Sequence, residues 1–168
     1  AGTGGDVLSL SNTLVRSNQA FSGGGISIIN TSAQSEPIAM QLLMFGNSAV
    51  SSNGADIGGG IQCTGATVML FDNSHVSLNS TSGSGGGIHA QDCQLQIRSS
   101  GVNGAVLWGN TAGGNGGGLY LSGSDGLVDM YTIDPFFPAR ITTNTAVRGG
   151  GVAVTDGAQM VMYNANIE

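Results

Sequence analysis

The sequence predicts an all-β fold, a parallel β-helix of about five turns with three short strands in each turn. Three observations lead to this prediction. An apolar residue, two variable residues and Asn recur five times; a Gly-Gly-Gly triplet follows each copy; and an apolar-x-apolar alternation follows each triplet. The triplets begin at residues 23, 58, 85, 116 and 149, a spacing that is typical of solenoids and other repeat architectures.

Each predicted turn contains three apolar segments. One is the apolar-x-x-Asn segment, one is the alternation after the glycines, and one precedes the next copy, as at residues 42–45. A period of two places apolar side chains on one face of a strand, so stacked turns should align them in columns inside the coil. The predicted columns are Ile26, Ile61, Ile88, Leu119 and Val152; Ile28, Cys63, Ala90, Leu121 and Val154; and Val15, Val50, Val76, Leu107 and Ile141.

The repeated Asn and Gly residues are predicted to be structural. Asn tolerates left-handed backbone, and its amide can satisfy peptide groups at a tight corner. Gly permits positive φ and close approach of one backbone to another. We therefore expect one stacked column of amides and one of glycines. These residues are Asn18, Asn53, Asn79, Asn110 and Asn144, and Gly25, Gly60, Gly87, Gly118 and Gly151.

Composition and charge exclude several classes of function. The 168 residues include 30 Gly and no Lys, and the net charge is -6. The chain therefore lacks the clustered cations that nucleic acids and anionic membranes attract. The longest apolar run, around residues 38–45, is far shorter than the roughly 18 residues that a membrane span needs. We predict no nucleic-acid partner and no membrane insertion.

Residues 1–168 are expected to form a single β-helix segment. No signal peptide is visible, and residues 159–168 align with residues 67–76 in the middle of a repeat. We therefore expect a piece of a longer protein. The register stretches at residues 30–37 and 131–138, and because both segments contain Pro, both are predicted as surface loops. The second contains Phe136 and Phe137, which are expected to cover the side of the coil or, alternatively, to form a contact patch.

These repeats resemble those of the polymorphic membrane protein family, known best from chlamydiae, whose passenger domains repeat Gly-Gly-Ala-(Ile/Leu/Val) and Phe-x-x-Asn. Gly23-Gly24-Gly25-Ile26 and its four later copies correspond to the first motif, with Gly in place of Ala. The apolar-x-x-Asn segments correspond to the second, with Val, Leu or Ile in place of Phe. The repeats are also similar to those of surface proteins with the pectin-lyase-like right-handed β-helix. The resemblance implies a right-handed, secreted or surface-displayed coil used in adhesion or as a stalk, like an autotransporter passenger.

The same fold carries polysaccharide lyases and glycoside hydrolases, so a carbohydrate-active enzyme is the competing prediction. Such enzymes need carboxylates that converge on one substrate, whereas the ten acidic residues here are scattered singly. Asp129 is expected near Arg98 as a solvated cross-strand pair, and nothing orients Asp125 toward Asp129. His75 and His89 have no carboxylate partner and are expected as surface residues. We predict no catalytic residue, no metal site and no cofactor.

The sequence also contains two cysteines and two N-glycosylation sequons. Cys63 and Cys93 come from consecutive turns but from different positions in the repeat, whereas a disulfide needs Cα atoms within about 7 Å. We expect two buried or semi-buried thiols, with a disulfide as the alternative. Asn30 and Asn79 each begin an N-glycosylation sequon, although Asn79 also belongs to the amide column.

The predicted function is structural or adhesive, as an adhesin, stalk or filament component located at the cell surface or outside the cell. Expected partners are neighbouring β-helix segments or further copies of the chain, bound through the open ends of the coil, and a host-surface protein or glycan. A third alternative is a solenoid that binds ice or another surface. That function requires regular outward rows of Thr, whereas the outward positions after the glycines are irregular: Ser27, Gln62, His89, Tyr120 and Ala153.

Overall fold

A computed structural model describes residues 6–30, 40–100 and 103–168. Within these ranges the chain contains strands, turns and bends, and no helix. The 21 strands, each of two to six residues, are β1 (Val7–Ser11), β2 (Leu14–Arg16), β3 (Gln19–Ser22), β4 (Ile26–Ile29), β5 (Gln41–Phe45), β6 (Ala49–Ser51), β7 (Gly54–Ile57), β8 (Ile61–Thr64), β9 (Thr67–Leu70), β10 (His75–Ser77), β11 (Ser80–Thr81), β12 (Ile88–Gln91), β13 (Gln94–Ser99), β14 (Val106–Trp108), β15 (Thr111–Ala112), β16 (Leu119–Ser122), β17 (Leu127–Thr132), β18 (Arg140–Thr142), β19 (Val152–Val154), β20 (Gln159–Tyr163) and β21 (Asn166–Ile167).

The strands form four sheets, and every pairing within them is parallel. Sheet 1 has the order β1-β5-β9-β13-β17-β20, and sheet 2 has the order β2-β6-β10-β14-β18-β21. Sheet 3 has the order β3-β7-β11-β15, and sheet 4 has the order β4-β8-β12-β16-β19. The chain thus visits the sheets in turn and then returns to the first. This arrangement is consistent with a β-solenoid.

The three predicted columns are confirmed by the register of the strands. Ile26 pairs with Ile61, and the pairings continue in steps to Val152 in sheet 4. The column that starts at Val15 runs through sheet 2 and extends to Ile167, which pairs with Ile141. The alignment of residues 159–168 with residues 67–76 is therefore wrong by one residue at its end.

Sheet 3 is a fourth row of strands, in addition to the three strands predicted for each turn. In each repeat, its strand lies between the column Asn and the glycine triplet. Its strands are short, and Ser80–Thr81 and Thr111–Ala112 have no apolar alternation. Backbone hydrogen bonds to the adjacent turns define these strands, as when the Ser80 N–H donates to the Asn53 carbonyl oxygen at 2.9 Å. Hydrophobic periodicity cannot detect such strands.

The core lies inside the coil and consists of the inward side chains of successive strands. In β5, Leu42 and Met44 are fully buried, whereas Leu43 between them faces outward. The terminal strands bury the equivalent positions less completely, because they have a neighbour on one side only. Met162 is 38% exposed and Ile167 is 43% exposed. Each turn therefore completes the burial of the next, as expected for a repeat protein.

Cys63 and Cys93 form a disulfide with Cα atoms 6.3 Å apart, so the expectation of two thiols is wrong. Both residues are fully buried. Cys93 precedes Gln94, which pairs with Thr67 and donates its N–H to the Ala66 carbonyl oxygen at 3.0 Å, so Cys93 lies beside Ala66. The corner that Gly65 forms with a φ of 60° separates Ala66 from Cys63 by only three residues, which brings Cys63 and Cys93 within reach of each other. Small side chains at Ala66 and Ala90, which pairs with Cys63, leave room for the bridge.

The loop predicted at residues 131–138 begins as strand β17 and leaves it after Thr132. The Ser99 hydroxyl donates to the Phe137 carbonyl oxygen at 2.6 Å and holds the loop against sheet 1. Phe136 is 86% exposed and does not cover the coil, contrary to the expectation for this aromatic pair. In the other predicted loop, residues 31–37 lie outside the described residues.

Candidate functional site

The five repeated asparagines form one hydrogen-bonded column. At each step, Oδ1 of an Asn accepts both the backbone N–H and an Nδ2–H of the Asn in the preceding turn, at 2.9–3.0 Å. The second Nδ2–H donates to a backbone carbonyl oxygen, as from Asn79 to Val50 at 3.0 Å. The members are Asn18, Asn53, Asn79, Asn110 and Asn144. The amides of the three inner members are therefore fully engaged within the coil.

The Asn column lies at a corner that every repeat makes with left-handed backbone. The residue before each Asn has positive φ: Ser17 57°, Ser52 54°, Leu78 56°, Gly109 64° and Thr143 52°. For a residue other than Gly, this conformation costs about 1–2 kcal/mol. The amide offsets this cost because it pairs with peptide groups that the corner removes from the regular sheet ladder. The column thus stabilises the turn between sheets 2 and 3.

The glycine column packs directly against the Asn column. A Cβ atom on Gly87 would lie 2.5 Å from the Gly118 carbonyl oxygen and 2.9 Å from Nδ2 of Asn110. A Cβ on Gly60 would lie 2.7 Å from Nδ2 of Asn79. Only Gly therefore fits between one turn and the Asn of the next. Gly25 and Gly118 are similarly crowded, whereas a Cβ on Gly151, in the last turn, would come closer than 3 Å only to the Ile167 side chain. The repeat motifs thus hold turns together and leave no space for a ligand between them.

The sequon at Asn79 cannot serve as a glycosylation site in this fold. Asn79 is 1% exposed, and its amide makes hydrogen bonds to Asn53, Asn110 and Val50. The side-chain nitrogen is thus inaccessible to a glycosyltransferase. Asn30 is half-buried at the end of β4, and the Thr and Ser that complete its sequon lie outside the described residues.

The acidic residues within the described ranges do not converge. Asp129 forms the expected pair with Arg98, with an oxygen–nitrogen distance of 2.6 Å and both side chains more than one-third exposed. A solvated pair of this kind contributes about 0–1 kcal/mol. Asp125 lies in the turn before β17, where its N–H points to an oxygen of Asp92 at 3.4 Å. Among the described residues, no group of three or more His, Cys, Asp or Glu could hold a metal ion.

Both histidines are half-buried on the outer surface of the coil rather than fully exposed. The His89 ring lies against Tyr120, with 5.0 Å between ring centroids, and the Tyr120 hydroxyl accepts a hydrogen bond from Thr155 at 3.1 Å. Burial lowers the pKa of His89 and of His75, so both imidazoles are neutral at pH 7. Nδ1 of each is buried and has no hydrogen-bond partner among the described residues. Neither histidine is oriented by a carboxylate as a catalytic base would be.

Trp108 is a surface feature that the sequence reasoning missed. It is the only tryptophan of the chain, and it lies on the outer face of sheet 2 with 39% of its surface exposed. It borders a depression of about 310 Å³ that is open to solvent. The lining residues are His75, Val106, Trp108, Arg140, Thr142 and Thr143. The signal was present in the sequence, since Trp108 occupies the outward position next to Leu107 in an apolar-x-x-Asn segment.

No family model matches this sequence, and neither the curated proteins nor the solved structures include a match. Among the described residues there is also no helix long and apolar enough to cross a membrane.

Proposed function

We propose that this chain is a segment of a right-handed parallel β-helix of about five turns that serves as a structural or adhesive element at the cell surface or outside the cell, without catalytic activity of its own. One observation carries the proposal. The most regular polar residues of the sequence, those of the Asn column, bind one turn to the next, and the amides of its inner members Asn53, Asn79 and Asn110 have no donor or acceptor left for a substrate. The motif that defines the repeat thus holds successive turns together.

The handedness and the number of turns are supported by general rules and by the repeat. Connections between parallel strands of one sheet are right-handed in about 98% of cases, and each sheet here is built of such connections. Five glycine triplets and five column asparagines correspond to about five turns. An extended coil of this kind suits a stalk, because its length grows with the number of repeats while its cross-section stays constant.

The disulfide supports a location outside the cytoplasm. Disulfides persist in oxidising environments such as the cell exterior and are rare where thiols are kept reduced. The Cys63–Cys93 bridge is fully buried and lies between adjacent turns, so it has the position of a structural bridge. The low content of charged residues, 8%, agrees with a surface built mainly from Ser, Thr, Asn and Gly.

The ends of the coil support the proposed partners, which are a neighbouring β-helix segment or a further copy of the chain. Leu8 is 46% exposed at one end, whereas Leu42, with which it pairs, is fully buried. The Asn column also has a direction. Among the described residues, Oδ1 of Asn18 accepts no hydrogen bond, and the backbone N–H of Asn144 donates none. Stacking that continues the column must therefore be head to tail.

The proposal is tested by a measurement that separates binding from turnover. The folded protein is incubated with polyuronates and with neutral polysaccharides, and both retention of the protein and release of new chain ends are followed. We expect no new reducing ends and no unsaturated products, because the described carboxylates do not converge. Sustained product release would overturn the proposal in favour of a polysaccharide lyase or glycoside hydrolase. Antibody labelling of intact source cells tests the location independently.

A further inference from the structure

The depression beside Trp108 brings together several side chains whose polar atoms have no hydrogen-bond partner. The Arg140 side chain is exposed and makes no ion pair or hydrogen bond with any described residue. The indole Nε1–H of Trp108 also has no acceptor among the described residues, and Nδ1 of His75 is buried without a partner. Three side chains that line one depression therefore have unmet hydrogen-bonding capacity.

The lining also has a consistent chemical character. Trp108 and Val106 supply apolar surface, Thr142 and Thr143 supply hydroxyl groups, and Arg140 supplies a positive charge. No carboxylate lines the depression, although the chain as a whole carries a net charge of -6. Glu168 lies next to Thr143, whose N–H donates to the Glu168 carbonyl oxygen at 3.2 Å, but Glu168 is not part of the lining. Arg140 is therefore the charged side chain of the lining, and its positive charge suits an anionic ligand.

Three properties define that ligand. An aromatic ring face is electron-rich and attracts the weakly positive C–H groups of a saturated ring. A guanidinium group pairs with a carboxylate through two parallel hydrogen bonds. A volume of about 310 Å³ is at the low end for small-molecule pockets, so the site suits one small unit. A pyranose ring with a carboxylate combines an apolar C–H face, rim hydroxyls and one negative charge.

We propose that Trp108 and Arg140 form a binding site for one acidic pyranose unit of a glycan. The sugar ring packs on the exposed indole, its carboxylate pairs with Arg140, and its hydroxyls bond to Thr142 and Thr143. This inference deepens the adhesive function proposed above and rests on it. It names the ligand class and the residues that would give a stalk-like coil a specific lateral contact.

The single tryptophan makes the test direct, because any change in indole fluorescence reports on position 108. The protein is titrated at low salt with the methyl glycosides of glucuronate, galacturonate and N-acetylneuraminate, and with neutral methyl glucoside. We expect a saturable change with at least one acid and at least tenfold weaker binding of methyl glucoside. Absence of a saturable signal with all three acids would overturn the proposal, as would equal binding of acidic and neutral sugars.

Two charge-removing variants provide the matched comparison. Arg140→Gln should weaken binding of the acidic sugar at least tenfold. Arg16→Gln removes the same charge from the same column of sheet 2 as Trp108, but three strands away, and should leave binding unchanged. Trp108→Leu, followed by saturation-transfer NMR because it lacks the fluorophore, should abolish binding. Native affinity in Arg140→Gln or in Trp108→Leu would reject the site.

Retention of the protein on intact cells, measured in parallel, separates this inference from the broader function. Cell binding that is the same for native protein and Arg140→Gln would reject the Trp108 site while the adhesive function stands. Sugar binding without cell retention would support the site and count against adhesion.

Discussion

Replacement of Asn79 by Ala tests the Asn column where it is most deeply buried. Asn79→Ala removes the acceptor of the Asn53 backbone N–H and of one Asn53 Nδ2–H, and it removes a donor to the Val50 carbonyl oxygen. Each buried polar group left without a partner costs about 1–3 kcal/mol. Three such groups, with partial relaxation, predict a loss of about 4 kcal/mol in the free energy of unfolding. That is a large share of the ~5–15 kcal/mol typical of a domain.

The assay is urea unfolding of the oxidised protein, followed by far-UV circular dichroism. The matched control is Asn18→Ala at the exposed end of the same column, which removes one side-chain bond to Asn53 and should cost less than about 1 kcal/mol. If Asn79→Ala destabilised the protein no more than Asn18→Ala, the column could not be the main connection between turns, and this reasoning would be refuted.

Three further predictions concern the disulfide, the glycine column and pH. The double variant Cys63→Ala with Cys93→Ala opens a loop with a sequence separation of 30 and should lower the free energy of unfolding by about 3.5 kcal/mol in urea titrations; an unchanged midpoint would count against the bridge. Gly87→Ala should cost about 2–3 kcal/mol because its Cβ would overlap the next turn. Gly54→Ala should be nearly neutral, because the atom nearest to the new Cβ would be Oγ of Ser80 at 3.7 Å. An equal loss in the free energy of unfolding for Gly87→Ala and Gly54→Ala would contradict this packing explanation. Because burial lowers the pKa of His89 below 6.5, the unfolded chain takes up the proton first, so stability should fall as pH drops below 6.5. His89→Gln should flatten that dependence, and an unaltered pH profile would exclude His89 as its source.

The sequence was sufficient to predict the columns of the coil, because the glycine triplets mark equivalent positions and a period of two separates inward from outward residues. Ile26, Ile61 and Ile88 therefore align as expected. The Asn and Gly columns could also be proposed from their recurrence, since tight corners favour these two residues for clear conformational reasons.

The features that were missed depend on corners and on surface positions. Strand Ser80–Thr81 of sheet 3 has no hydrophobic signal, because hydrogen bonds to its neighbours define it. The disulfide was missed because linear spacing treats residues 63 and 93 as different positions, whereas the corner at Gly65 turns the chain between strands β8 and β9. Trp108 was overlooked because the repeat pattern predicts only which residues face inward. Outward residues such as Trp108 form the surface that is available to partners.

The central claim is that the polar residues of the repeat bind one turn to the next rather than a ligand. Its most direct test is amide hydrogen exchange, followed residue by residue in ¹⁵N-labelled protein. We predict that the backbone N–H groups of Asn53, Asn79 and Asn110 exchange only through global unfolding, because each of these Asn residues is buried and donates to the Asn side chain in the next turn. Exchange of these three groups as fast as that of the Phe136 N–H, whose hydrogen bond to the Asp134 side chain is exposed, would contradict the claim.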